Sequence, residues 1–367
     1  ELDALFHLIR LRLLLSIAIA ARQTSLKPRN EYLSISQGPV WDLLPRLESI
    51  HPDFARCSFR KACGLEPSPE GGRVAAWLGA RRGRFAPVTG LDLPTAKRSV
   101  LDLGMASPLV EDLRIVDDIP AFTKILVGAM ERAGADVGIG RCGEARSMYT
   151  SPLFRDPVDP LAEGRTIHLG IDLFQAPGTP VRAPLDGTVH SVRENAGRGD
   201  YGPTVILRHA PKDGPLFFTL YGHLGRKSVA GLVSGRTVTQ GEKFAEIGPA
   251  PENGDWPPHL HFQVMADLLG REGDFPGVCR ASEKDVWLSL CPDPNLILGI
   301  PDADLAVENL PPGEILGLRR ALLGPTLSIA YKSPLKIVRG SGAYLYDETG
   351  RAFLDAVNNV PHVGHGH

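Results

Sequence analysis

Between residues 151 and 295 the chain never goes far without a turn former. Short apolar–polar alternations (TPVRAP, GTVHSVRE, PTVILRH, LFFTLYGHL, RTVTQGEKFAEIG and HLHFQV) follow one another with turn residues between them. A period of two sends successive side chains to opposite faces of an extended strand. Strands this short, separated by turn residues, fit half-buried antiparallel pairing. No segment of this stretch is long and periodic enough to predict a helix. The 40 glycines and 32 prolines of the 367 residues likewise favour many turns over long helical bundles.

Helical periodicity is left to the flanks, which predicts an α+β, multi-domain chain around a central antiparallel β-sheet. Residues 1–66 read as a helical segment: apolar residues recur every three or four positions from Leu5 to Ala20, and WDLLPRLESI follows. Residues 64–96 are crowded with Gly, Pro and Arg, which places a linker at 67–99. Within 100–150, VLDLGMAS reads as a strand, IPAFTKILVGAMERAG as an amphipathic helix stopped at Gly134, and ADVGIGR as a second strand. This is a small strand–helix–strand unit. Its GIGRCG follows a strand without opening a clear helix, which is not the setting of a nucleotide-binding glycine loop. The main β region is bounded at 151–295. Residues 296–330 read as a linker with one helix (GEILGLRRALL), and 331–367 hold a hairpin, YLYDETGRAFLD, turning at Gly350.

Composition removes some partners. With 43% hydrophobic residues, 22% charged residues and a net charge of −2, the chain lacks the basic surface expected for nucleic acid or an anionic membrane. The apolar run 5–21 is interrupted by Arg10 and Arg12 and falls short of a bilayer span, so a buried helix is expected there. No signal peptide is visible. Five irregularly spaced cysteines without a C-x-x-C pair favour a reduced, cytoplasmic setting. Opening on Glu1 and stopping at His367 inside fold-like sequence, the chain reads as a fragment of something longer.

The chemistry is concentrated in HLGIDLF, LYGHLG and PHLHFQV, which carry His168, Asp172, His223, His259 and His261. An H-x-H pair alone means little, because 11 histidines in 367 residues give about 0.3 such pairs by chance. Geometry makes it informative: in a strand, His259 and His261 share a face, as do His168 and Asp172 in an extended segment. Gly170 between the latter pair leaves room for close approach. Two histidines and one aspartate give zinc three protein ligands and an open fourth position, with net charge +1. The remaining imidazoles are then free for proton transfer or oxyanion stabilisation.

Taken in order, HLGIDLF, APGTPVRAPLDGTV, YGPTVILRH, LYGHL, VTQGEKFAEIG and HLHFQV closely resemble the lysostaphin/LytM-type zinc metallopeptidases over about residues 151–270. That resemblance implies zinc (Zn2+) ligands at His168, Asp172 and His261, and catalytic histidines at His223 and His259. It also implies a metal-activated water attacking a peptide or amide bond, with a peptide or amino-containing small molecule as substrate. One departure stands out. Members usually carry a small Thr/Ser-Gly loop before HLHF, whereas GPAPENGDWPP here puts Trp256 and Pro257 on the approach. The substrate is therefore expected to differ from a cell-wall cross-bridge.

The tail SPLKIVRGSGAYLYDETGRAFLDAVNNVPHVGHGH resembles the beginning of class III pyridoxal-phosphate aminotransferases. The cofactor lysine of that family lies far downstream of such a hairpin, so pyridoxal phosphate and any oligomerisation through that part are expected only of a full-length protein. LIRLRLLLSIAIAARQTSLKPRNEYLSIS resembles the C-terminal helices of aminoglycoside-phosphotransferase-like kinases, without that family's HGD and DFG-like motifs. The order implies a large fusion enzyme acting on an amino-containing metabolite; a non-catalytic metal-binding module within an aminotransferase is the alternative. Among the other candidates, His190 and His209 read as structural or exposed, Asp186 as a turn residue and Tyr221 as packing. His7 and His51 have no visible partners, and His362, His365 and His367 lie in a glycine-rich loop.

Overall fold

The computed structural model describes residues 2–26, 37–155, 162–307, 310–323, 329 and 332–355. His362, His365 and His367 lie outside them. Helix α1 (Leu2–Leu26) corrects two expectations. Its apolar side chains run round the whole circumference instead of along one stripe, so packing against α2 (Gln37–Glu48) and α3 (Pro52–Ala62) buries only Phe6 and Ala20. Leu8, Leu11, Leu14 and Ile19 remain exposed. The 25-residue helix is also long and apolar enough to cross a membrane by length and composition, contrary to the expected shortfall.

The stretch expected as a linker contributes to the core. Ser68 caps α4 (Pro69–Gly79) by accepting from the Gly71 amide, and Pro69 opens the helix. Val74, Leu78, Val88 and Leu93 enter the main apolar cluster, and the Val88 carbonyl accepts the Arg182 amide. Gly and Pro density marks turns, but these four aliphatic side chains decide burial. Next come β1 (Arg98–Val100), α5 (Ile119–Arg132) and β2 (Val137–Gly140). Asp118 caps α5 by accepting from the Ala121 amide, and Gly134 ends the run with φ +60°. Strand β1 is shorter than VLDLGMAS promised. It pairs parallel with β2, which pairs antiparallel with β4, so this unit extends the central sheet.

The alternating segments form β3 (Arg165–His168), β4 (Ile171–Phe174), β5 (Pro180–Arg182), β6 (Gly187–Asn195), β7 (Gly202–His209) and β8 (Phe217–Gly222). They continue through β9 (Thr237–Val238), β10 (Lys243–Glu246), β11 (His259–Met265) and β12 (Val278–Arg280). Eight strands make one sheet in the order β1-β2-β4-β11-β8-β7-β6-β9, antiparallel throughout except β1–β2. The chain is thus a mixed α+β structure around a large antiparallel sheet. Alternation does what it promised: Ile171, Leu173, Leu260, Phe262 and Val264 point into the main cluster, and the residues between them point to the opposite face. Short helices at Arg226–Val229 and Lys284–Leu290 escape a periodicity reading because each has two turns or fewer. The helix Pro312–Leu322 and the hairpin Tyr344–Asp347/Ala352–Leu354 form as expected, with Gly350 at φ +83°.

Tyr221 is a packing residue, fully buried between Phe244 and Phe262. His209 is structural: its ring nitrogens meet the Asp186 carbonyl at 2.9 Å and Thr219 Oγ1 at 2.8 Å, and burial pushes its pKa down to about 4. A histidine held neutral in the fold protonates near 6.5 in the unfolded chain. Its contribution is therefore complete above pH ~6.5 and is lost as pH falls toward 4, at about 1.4 kcal/mol per unit of difference. Urea unfolding is expected to show stability falling through this window by about 3 kcal/mol from this residue. His209→Gln should flatten that part of the curve.

Candidate active site and metal centre

The sheet register builds the site. Gly140, Asp172, His261 and Gly222 stand opposite one another on β2, β4, β11 and β8, and Gly138, Phe174 and His259 make the neighbouring row. Cross-strand neighbours project to the same face, so the carboxylate and both histidines of H-x-H point one way. Glycines at the ends of the first row leave space. A Cβ on Gly140 would lie 2.5 Å from Arg146 Nη2, and one on Gly222 would lie 2.5 Å from Tyr201 Cδ1. His168 arrives from the end of β3, and Gly170 permits the approach: a Cβ there would lie 2.6 Å from the His261 ring.

Three atoms converge. His168 Nε2 lies 2.9 Å from His261 Nδ1 and 3.3 Å from Asp172 Oδ1, and His261 Nδ1 lies 3.1 Å from that same oxygen. They belong to the group of potential metal-holding side chains found among the described residues, all three buried. The outward ring nitrogens assign the tautomers. His168 Nδ1 donates to the Arg141 carbonyl (3.0 Å), and His261 Nε2 donates to Gln263 Oε1 (3.0 Å). Gln263 is itself oriented by donating its amide to the Pro276 carbonyl. The inward nitrogens therefore present lone pairs, with a carboxylate oxygen beside them. Such a cluster of acceptors needs a cation, and the donor set of two imidazole nitrogens and one carboxylate oxygen suits zinc.

His223 and His259 lie on the same cleft, with ring centroids 4.2 Å apart. His223 Nδ1 donates to the Asn253 carbonyl at 2.7 Å, and His259 Nδ1 donates to the Pro257 carbonyl at 2.6 Å. Each thus keeps an unprotonated Nε2. That of His259 lies 3.8 Å from Asp172 Oδ1. His223 follows β8 with φ +63°, a left-handed backbone that costs a non-glycine residue about 1–3 kcal/mol and is held by the surrounding structure. Its amide donates to the Tyr201 carbonyl, and its own carbonyl accepts from Gly248.

Burial sets the electrostatics. It depresses His168 to about 4, helped by the Arg146 cation, and lowers His223 and His259 as well. For Asp172, burial alone would raise the carboxyl. The imidazoles and the Arg146 guanidinium outweigh it, holding Asp172 well below the usual carboxylate range. Sequence reading missed Arg146, whose Nη1 donates to Asp172 Oδ2 at 2.5 Å. It also missed Tyr149 and Phe154, which pack against Trp256 as an aromatic wall, edge-on and tilted respectively (centroids 6.3 and 6.2 Å). The five predicted residues and this wall line one cavity of about 420 Å³, with Pro257 also on its edge, as the GDWPP segment foretold. His190, half-buried on β6, and His209 lie outside that cavity, as do His7 and His51.

Residues 166–272 match the family model described as peptidase family M23. An "Alanine--glyoxylate aminotransferase 2-like" protein of Drosophila melanogaster is 48% identical over 64 residues, which cover 17% of this chain and 13% of the relative. An "Uncharacterized metalloprotease" of Haemophilus influenzae is 40% identical over 96 residues, covering 26% of this chain and 18% of the relative. The chain thus spans less than a fifth of either curated relative. The solved catalytic domain of lysostaphin from Staphylococcus simulans aligns over 36% of this chain and 80% of its own, at 24% identity and a TM-score of 0.25.

Proposed function

Since residues 166–272 carry a peptidase M23 domain, we propose that this chain is a zinc-dependent hydrolase of peptide or amide bonds. His168 Nε2, Asp172 Oδ1 and His261 Nδ1 are the ligands in this reading. The observation that carries it is the convergence of two imidazole lone pairs and a carboxylate oxygen whose outer partners are already fixed. Bound there, zinc supplies Lewis acidity toward the scissile carbonyl and lowers the pKa of water toward ~7.

The chain's own groups do the rest. His223 Nε2 carries no proton and, among the described residues, has no carboxylate at hydrogen-bond distance, so it acts as the base that takes the proton of the attacking water. His259 stacks on Phe174, and its unprotonated Nε2 lies 3.8 Å from Asp172 Oδ1. His223 hands the proton it has taken to the leaving amine, and the neutral His259 ring beside it offers a second acceptor along that path. The wall of Tyr149, Phe154 and Trp256 narrows the approach, which favours a slim peptide or amino-containing substrate over a bulky cross-linked one.

A peptide panel incubated with the zinc-loaded chain tests this. New amine termini should appear, vanish on chelation and return with zinc. The similarity to an aminotransferase over 64 residues favours a second reading, a non-catalytic metal-binding module of a pyridoxal-phosphate enzyme. Full zinc occupancy with no cleavage across the panel would favour that reading.

A further inference from the structure

We infer that Arg146, which lies outside the region matching the peptidase family, is a positioning residue that fixes two of the three proposed zinc ligands; this rests on the zinc reading above. Its side chain is 3% exposed and all three guanidinium nitrogens are used. Nη1 donates to Asp172 Oδ2 at 2.5 Å and to the Tyr149 hydroxyl at 3.2 Å, and Nε donates to Glu144 Oε2 at 3.2 Å. Nη2 donates to the Arg141 carbonyl at 3.4 Å, the same carbonyl that accepts from His168 Nδ1 at 3.0 Å.

Two consequences follow from this geometry. With Oδ2 occupied, Asp172 offers Oδ1 alone to the cluster, a single-oxygen ligand that cannot swing to chelate through both. Through the shared Arg141 carbonyl, the same guanidinium braces the orientation of the His168 ring. A planar fork can serve four separate acceptors in this way, and a lysine ammonium on a flexible stem cannot reproduce it. Gly140 makes the fork possible. A Cβ there would lie 2.5 Å from Arg146 Nη2 and 3.2 Å from Asp172 Cβ. The segment upstream of the family match therefore supplies the brace of the metal centre, through Gly140 at the end of β2 and through Arg141 and Arg146 in the turn that follows.

The test uses the full chain with two variants. Arg146→Lys keeps the charge and loses the fork, and Gly140→Ala keeps the arginine and displaces it. Zinc affinity is measured by chelator competition, and the visible spectrum is recorded after cobalt substitution. Partners that orient metal ligands typically contribute 10–100-fold to affinity. Both variants should lose about that factor and show an altered cobalt spectrum with unchanged far-ultraviolet circular dichroism. A role in stability alone would lower the unfolding midpoint without moving the cobalt bands. If Arg146→Lys does not fold, Gly140→Ala decides. Wild-type affinity and spectrum in the folded variants, with metal lost in His261→Ala, overturn the inference and leave the zinc reading standing. A wild-type chain that binds no stoichiometric zinc removes the zinc reading and this inference with it.

Discussion

Replacing His261 by alanine is expected to abolish zinc retention and hydrolysis together. The residue contributes one of the three converging lone pairs, and its Nδ1 lies within 3.1 Å of both other donors. The two that remain, His168 Nε2 and Asp172 Oδ1, hold zinc poorly without a third protein ligand. The affinity loss should exceed the ~10–100-fold typical of losing an outer partner. If zinc contributes at least ~4 kcal/mol of transition-state stabilisation, the rate falls by roughly 10³-fold or more. Metal analysis after dialysis, beside kcat/KM, checks both effects. Zinc retained in this variant at one per chain would show that the ligand assignment is wrong.

His223→Ala is expected to separate the two effects. Its ring is tied outward to the Asn253 carbonyl, its centroid lies 6.2 Å from that of His261, and it stands outside the group of three converging side chains. Zinc content should therefore be unchanged. Loss of a positioned general base costs about 10²–10⁴-fold in kcat. Zinc-loaded variant and wild type, compared at saturating peptide, give the ratio. A variant that keeps wild-type kcat would remove His223 from the chemistry, and one that loses zinc would move it into the metal shell.

Much of this site was legible because its logic is periodic. His259 and His261 had to share a face, Asp172 had to face with them once β4 and β11 paired, and Gly170 had to sit where crowding forbids a side chain. Gln263 extends the same rule: two residues beyond His261 on one strand, it could have been read as a third residue on that face. Arg146 could not. It lies 26 residues from Asp172, and nothing local distinguishes it from the other basic residues; only the parallel pairing of β1 with β2 and the seating of β2 on β4 bring it to the carboxylate.

The misreadings have physical causes too. In 67–99 the density of Gly and Pro correctly signals turns, but turns can lie on a core as well as between domains. Val74, Leu78, Val88 and Leu93 tie this one down. In α1, apolarity without a stripe is shared by buried helices and exposed ones, so the sequence could not choose between them. The departure before HLHF was readable as chemistry: Trp256 does enter the cavity wall, with Tyr149 and Phe154 from just before β3 as partners.

The proposed zinc site has three ligands and an open position, and it uses only nitrogen and oxygen donors although Cys291 lies beside Gln263. Gln263 already donates to Cys291 Sγ at 3.4 Å, so a sulfur ligand is the sharpest competing arrangement. X-ray absorption at the zinc edge, with metal content measured on the same sample, distinguishes the two. One zinc per chain is expected, with only nitrogen and oxygen donors at about 2.0–2.2 Å, two of them imidazole. A sulfur shell near ~2.3 Å, or a chain that takes up no stoichiometric zinc, would contradict it.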